Sequence, residues 1–165
     1  MKRNYKQKLG LLLLLIPFLG ISAVGPIKGK IEKSRTIKKE FTVNADAVVN
    51  IANKFGNLDV VTWSENRVVM EITIKVNGNN ESKLLEQLEN IDVQFSNSSS
   101  SVSAKTVINK TSSGWWFGNN SNVNYEINYK VKMPKTNSVN FENDYGSISL
   151  NELNGKANIS CDYGK

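Results

Sequence analysis

The sequence predicts a mainly β fold: a β-strand layer with one packed helix, leading into a truncated β-solenoid. Three observations predict it. Residues 67–76 alternate apolar and polar with period two, as a half-buried strand does. Leu84, Leu85, Leu88 and Ile91 fall at i, i+1, i+4 and i+7, the spacing of one helix stripe. Asn143-Asp144-Tyr145-Gly146 recurs 18 residues later as Cys161-Asp162-Tyr163-Gly164, a short fixed period of the kind solenoids use.

The first segment stands apart from the fold. Met1 to Lys8 carries Lys2, Arg3, Lys6 and Lys8 and no acid, and an apolar run follows with five leucines from Leu11 to Leu15. Gly20, Ser22, Ala23 and Gly25 then supply small side chains. A charged n-region, an apolar h-region and a small-residue exit describe a secretory signal peptide over residues 1–23, cut after Ala23. The alternative is an uncleaved inner-membrane anchor, because residues 9–27 hold no charge and are long enough to span a bilayer. Export to the periplasm, cell surface or medium is expected in the first case. No cysteine near the exit offers a site for a lipid.

Residues 24–40 are expected to be a basic, solvated leader. Lys28 to Lys39 holds six cations against Glu32, and an anionic membrane surface is its minor alternative partner. Past the signal segment, 17 Lys and Arg face 15 Asp and Glu. A charge so near balance gives no electrostatic case for a nucleic-acid partner.

Short β runs are expected at Thr36–Val43, Val48–Ala52 and Asn57–Trp63. In the clearest strand, Val68, Met70, Ile72, Ile74 and Val76 share a buried face. Ser64, Glu65 and Asn66 suit a tight hairpin turn between Trp63 and Arg67. Asn80 can cap the helix, and Glu81 in its first turn suits the helix dipole. Strand character returns at Ile91–Phe95, Val102–Asn109 and Val123–Met133. The last two are expected to form one long hairpin, ended by Pro134, with a Ser-, Gly- and Asn-rich tip at 110–122. After Pro134 each 18-residue rung holds two short strands around a turn at Asn151 to Gly155. The uncovered strand edge at Lys165 suggests a chain cut short of further rungs.

The chain has no histidine, which removes the commonest general base and metal ligand. Neither a Ser-His-Asp nor a Cys-His arrangement can be assembled. One cysteine, Cys161, is expected to be a free, buried small side chain, with intermolecular pairing as its alternative. Asp59, Asp144 and Asp162 are the carboxylates worth weighing. Stacked in successive rungs, Asp144 and Asp162 would sit about 5 Å apart. They would then act as turn residues bonding their own backbone, as a calcium pair, or as a glycan-cleaving acid pair. The turn reading fits best, so no catalytic residue, metal or cofactor is expected. Trp115, Trp116 and Phe117 are the candidate ligand-binding residues. Three large aromatics inside a Ser, Gly and Asn loop either plug the core or contact a glycan, a protein partner or a lipid surface.

Lys54-Phe55-Gly56-Asn57-Leu58-Asp59-Val60, followed by Thr62-Trp63 and Asn66, resembles the opening of the bacterial "putative adhesin" family. Its members are β-strand-repeat envelope proteins built around a domain of unknown function. Met133-Pro134-Lys135-Thr136 and Asn143-Asp144-Tyr145-Gly146 are similar too, so the resemblance covers residues 41–165 as one adhesin-like β domain. It implies export, a solenoid-like architecture, an envelope location, an adhesin-like binding or structural role and no catalytic residues. A membrane-anchored envelope sensor or scaffold is the alternative function, and a polysaccharide-acting solenoid enzyme is a remote third.

Overall fold

A computed structural model describes residues 30–109 and 123–165. The described residues form ten strands and one helix in two five-stranded sheets of mixed direction. In chain order they are β1 (Ile31–Thr42), β2 (Val48–Lys54), β3 (Leu58–Trp63), β4 (Arg67–Gly78), α1 (Glu81–Asn90), β5 (Ile91–Asn97), β6 (Ser101–Ile108), β7 (Asn124–Pro134), β8 (Ser138–Asp144), β9 (Ile148–Leu150) and β10 (Ala157–Asp162).

The first sheet runs β1-β4-β7-β3-β9 and the second β10-β8-β2-β6-β5. Pairings β1–β4, β4–β7 and β5–β6 are antiparallel, while β3 pairs in parallel with β7 and β9. In the second sheet β6, β2, β8 and β10 stack in parallel. The alternating residues of β4 behave as period two requires: Val68, Met70, Ile72, Ile74 and Val76 are fully buried. Ile127, Tyr129, Val131 and Met133 of β7 lie beside them, and Val49, Ile51, Val102, Ala104, Val139 and Phe141 of the second sheet complete one core.

The helix forms where its signals lie. The Asn80 side chain accepts a hydrogen bond from the Lys83 amide at 3.0 Å, and Glu81 occupies the first turn. It contacts β1 and β4 of one sheet and β5 of the other. Leu84 is fully buried, but Leu85 is 46% exposed. The expected stripe is therefore narrower, because a helix meeting both sheets at its edge buries one row of side chains.

Three expectations are corrected. Residues 31–40, expected as a solvated leader, are most of β1, which pairs with β4 along its whole length from Ile31↔Gly78 to Thr42↔Arg67. Burial alternates along most of β1, but Lys33 and Arg35 occupy half-buried positions beside Ile31 and Ile37, so charge masked the period in the sequence. Ser64 to Asn66 do not close a hairpin, since β7 lies between β3 and β4. β6 and β7 do not form a hairpin either, for they belong to different sheets. Each has an apolar face, but alternation fixes a strand's face and not its partner.

The contrast within α1 and β4 can be checked directly. Ile72→Ala should cost about 2–5 kcal/mol in urea unfolding through the cavity it leaves. Leu85→Ala should stay within about 0.5 kcal/mol, as exposed positions do.

Candidate functional site

The repeated tetrapeptides meet in space. Asn53-Lys54-Phe55-Gly56, Asn143-Asp144-Tyr145-Gly146 and Cys161-Asp162-Tyr163-Gly164 stand at the ends of β2, β8 and β10. These strands are in register through Asn53↔Asn143 and Cys161↔Asn143. At each corner the aromatic takes the left-handed conformation, with φ of 61° at Phe55, 60° at Tyr145 and 55° at Tyr163. The expected turn residue was the preceding acid, but the chain reverses on the aromatic. The glycines serve close approach: a Cβ on Gly146 would overlap the Gly56 carbonyl, and one on Gly164 would overlap that of Gly146.

Side chains lock this stack. The Asn143 amide donates to the Gly56 carbonyl at 2.9 Å, and the Asn53 amide donates to the Ile127 carbonyl at 2.9 Å and to Asn143 Oδ1 at 3.1 Å. In the third corner the Cys161 thiol takes the same role, donating to the Gly146 carbonyl at 3.2 Å. Cys161 is free and half-buried rather than buried. Asn53 Oδ1 accepts from Thr106 Oγ1 at 3.0 Å, so the Thr106 hydroxyl must receive its own hydrogen bond from Tyr129 at 2.7 Å. Burial pushes the Tyr129 hydroxyl up to about 12 from its ordinary 10.0.

Outside the corner the rings of Phe55, Tyr145 and Tyr163 stack, with centroids 5.3 and 5.1 Å apart and planes within 6° and 8° of parallel. Tyr125 leans against Phe55 at 6.1 Å. Tyr145 is 52% and Tyr163 83% exposed. Tyr145 is covered on both faces by its neighbours, while Tyr163, stacked on Tyr145 alone among the described residues, presents an open ring face.

Asp144 and Asp162 are indeed register partners, but Lys54 stands opposite Asp144 on the other side and pairs with it at 2.9 Å. That ion pair relieves the repulsion a calcium ion would otherwise relieve. Asp59 lies on β3 in the other sheet, opposite Lys130 and Ser149, and is not brought to the other two. Among the described residues no group of three or more His, Cys, Asp or Glu is placed to hold a metal ion. Trp115, Trp116 and Phe117 lie outside the described residues, as does the signal segment.

A second feature was missed by sequence reasoning. On the outer face of the first sheet, a shallow groove of about 460 Å³ is lined by residues of β1, β3, β4 and β7, among them Glu40, Asp59, Val61, Trp63, Arg67 and Lys132. The Trp63 indole donates to the Arg67 carbonyl at 2.9 Å and is approached by two cations, with the Arg67 guanidinium 4.6 Å and the Lys132 ammonium 5.8 Å from its ring centre. Arg67 also pairs with Glu40 at 2.8 Å and with Glu65. The outward alternation of the four strands held the signal, but their order in the sheet was needed to assemble it.

No protein-family model and no curated protein matches the chain. Solved structures do. A "putative cell adhesion protein" from Clostridium sporogenes is 14% identical, over 80% of this chain and 59% of that one, with a TM-score of 0.43. A "putative adhesin" from Bacteroides fragilis is 12% identical, over 77% and 53%, with a TM-score of 0.33. Another from Parabacteroides merdae is 11% identical, over 74% and 44%, with a TM-score of 0.31. All three are described as adhesins or cell adhesion proteins, and this chain spans between 44% and 59% of their length.

Two outcomes follow from the corner. Asn143→Ala strips the Gly56 carbonyl and one Asn53 proton of their partners and should cost about 2–4 kcal/mol. Cys161→Asn, which restores the amide of the other corners, should instead add about 1 kcal/mol. Denaturant midpoints with unchanged m-values would establish both.

The second concerns pH. Tyr129 has a raised hydroxyl in the fold, so its contribution is complete below pH 10 and is lost as pH rises toward 12. Stability should fall by about 3 kcal/mol across that window. Tyr129→Phe should flatten most of the fall, leaving the part due to Tyr125, whose hydroxyl burial also raises.

Proposed function

We propose that the chain is an exported, non-enzymatic module of the bacterial cell envelope, adhesin-like in binding a surface ligand or building a scaffold. The observation that carries this reading is the stacked corner. Three tetrapeptides in register, with aromatic rings about 5 Å apart, repeat one structural unit along an axis. The pairs β6 and β7, β2 and β3, and β8 and β9 read as successive rungs of a β-solenoid, with β10 beginning the next. Antiparallel β1, β4 and β5 flank that stack. Such arrays make long, rigid faces suited to contact rather than to turnover.

Export rests on the signal-type segment at residues 1–23. Among the described residues no helix is long and apolar enough to cross a membrane. The proposed ligand is a glycan or a protein, and Trp115, Trp116 and Phe117 are the proposed contact residues.

Intact mass and cell fraction of the natively expressed protein test the reading. A mass beginning at Val24, in the periplasm or outside the cell, is the expected result. A full-length mass in the membrane fraction would favour an envelope sensor or scaffold held through residues 9–27. Changing Trp115, Trp116 and Phe117 together to Ala should abolish attachment to the ligand surface while the far-ultraviolet spectrum stays unchanged.

A further inference from the structure

We infer that the groove on the outer face of the first sheet binds an acidic sugar residue, with Lys132 holding its carboxylate. The cross-strand rows of this face differ in kind. One row reads Lys38, Glu71, Lys130, Asp59. Its signs alternate, and Lys38 pairs with Glu71 at 2.9 Å, holding that carboxyl below its ordinary value. Each charge in this row therefore has an opposite charge as its cross-strand neighbour. The adjacent row reads Glu40, Val69, Lys132, Val61. Lys132 therefore stands between two valines and makes no ion pair among the described residues. Its other neighbour is the Trp63 ring. Arg67, which also lies over that ring, is engaged by Glu40 and Glu65.

The groove thus offers Lys132, whose cross-strand neighbours are both valines, over the apolar side chains of Val61, Val69 and Trp63, with Val61 53% exposed; Lys130 lines the groove too, but its cross-strand neighbours are Glu71 and Asp59. Asp59 lines the same groove and makes no ion pair among the described residues, while Glu40 lies at the rim. A ligand that uses all of these has one carboxylate for Lys132, an apolar C–H face for Val61, Val69 and Trp63, and hydroxyls that donate to Asp59 and Glu40. A hexuronic acid residue of a glycan meets that description. A polyphosphate would be repelled by the groove's carboxylates, Glu40, Asp59 and Glu71, and a fatty acid would leave Asp59 and Glu40 without hydroxyl donors.

This inference rests on the reading of the chain as a binding module, but on residues distinct from Trp115, Trp116 and Phe117. The test is calorimetric titration of the purified protein with a galacturonic acid oligomer, its methyl ester and a neutral galactose oligomer. The acidic oligomer should bind, more weakly at higher salt, and the ester and neutral oligomers should bind at least about tenfold less tightly, a difference of about 1.4 kcal/mol. Lys132→Gln should weaken the acidic oligomer by a similar factor and Lys132→Arg should retain it. Absence of binding, equal binding of the ester, or an unchanged constant in Lys132→Gln would overturn the assignment. If the triple Ala change at 115, 116 and 117 abolishes binding while Lys132→Gln does not, the groove falls and the aromatic cluster stands. The opposite pattern upholds the groove and removes the cluster. Preference for vesicles of anionic lipid over the oligomer would overturn it in favour of a membrane contact.

Discussion

The glycines at 56, 146 and 164 set how closely one turn of chain can lie on the next. Each sits where an added Cβ would run into backbone, that of Ile127, Gly56 and Gly146 in turn. That contact is tighter than any side chain allows, and it pulls β2, β8 and β10 into strict register. The neighbouring aromatics then absorb the reversal. A left-handed residue other than glycine costs about 1–2 kcal/mol. Ring pairs of the kind formed by Phe55, Tyr145 and Tyr163 return about 0.5–1.5 kcal/mol beyond their buried area. The corner is therefore a coupled device: glycine permits the approach, and the approach places the rings at stacking distance.

The same approach creates a polar problem that the buried amides solve. Carbonyls at Ile127, Gly56 and Gly146 face the interior at the corner, where an unpaired acceptor is costly. Asn53, Asn143 and Cys161 supply donors in order. Donation runs in one direction, from Tyr129 through Thr106 to Asn53 and from the Asn53 amide to Asn143. Because Tyr129 belongs to the first sheet and Thr106 to the second, this relay also ties the sheets together through their core. A polar chain with every member satisfied fixes register in a way that aliphatic packing alone does not.

Much of the fold was legible in the residues, and the pattern of what was not is physical. The face of β4, the cap and first turn of α1, and the end of β7 at Pro134 all follow from local chemistry. The 18-residue recurrence foretold which residues would lie side by side. Partners of β3, β6 and β7 were not legible, because alternation says which way a side chain points and nothing about which strand lies next to it. The first half of β1 was hidden by composition: the β run was expected only from Thr36, while Lys33 and Arg35 read as a solvated leader, yet they sit on the same strand and pair with Glu81 and Asp92. The groove around Trp63 was invisible for a related reason. Its residues come from stretches far apart in sequence, and only the order β4-β7-β3 assembles them.

The inner and outer faces of the first sheet consequently answer to different constraints. Inside, side chains must pack against the opposite sheet in one shared core. Outside, β7 meets an antiparallel neighbour on one side and a parallel neighbour on the other, so no repeat governs what faces Lys130 and Lys132. Lys130 is nonetheless flanked by acids on both sides, as a row selected only for solubility and sheet pairing would be. Lys132, two residues on, is flanked by valines on both sides. Cross-strand pairing favours opposite charges, so an isolated ammonium between two apolar side chains gains nothing from its strand neighbours. Its exposure lets water solvate it at no cost to the fold, which leaves that position free to be set by whatever the face contacts.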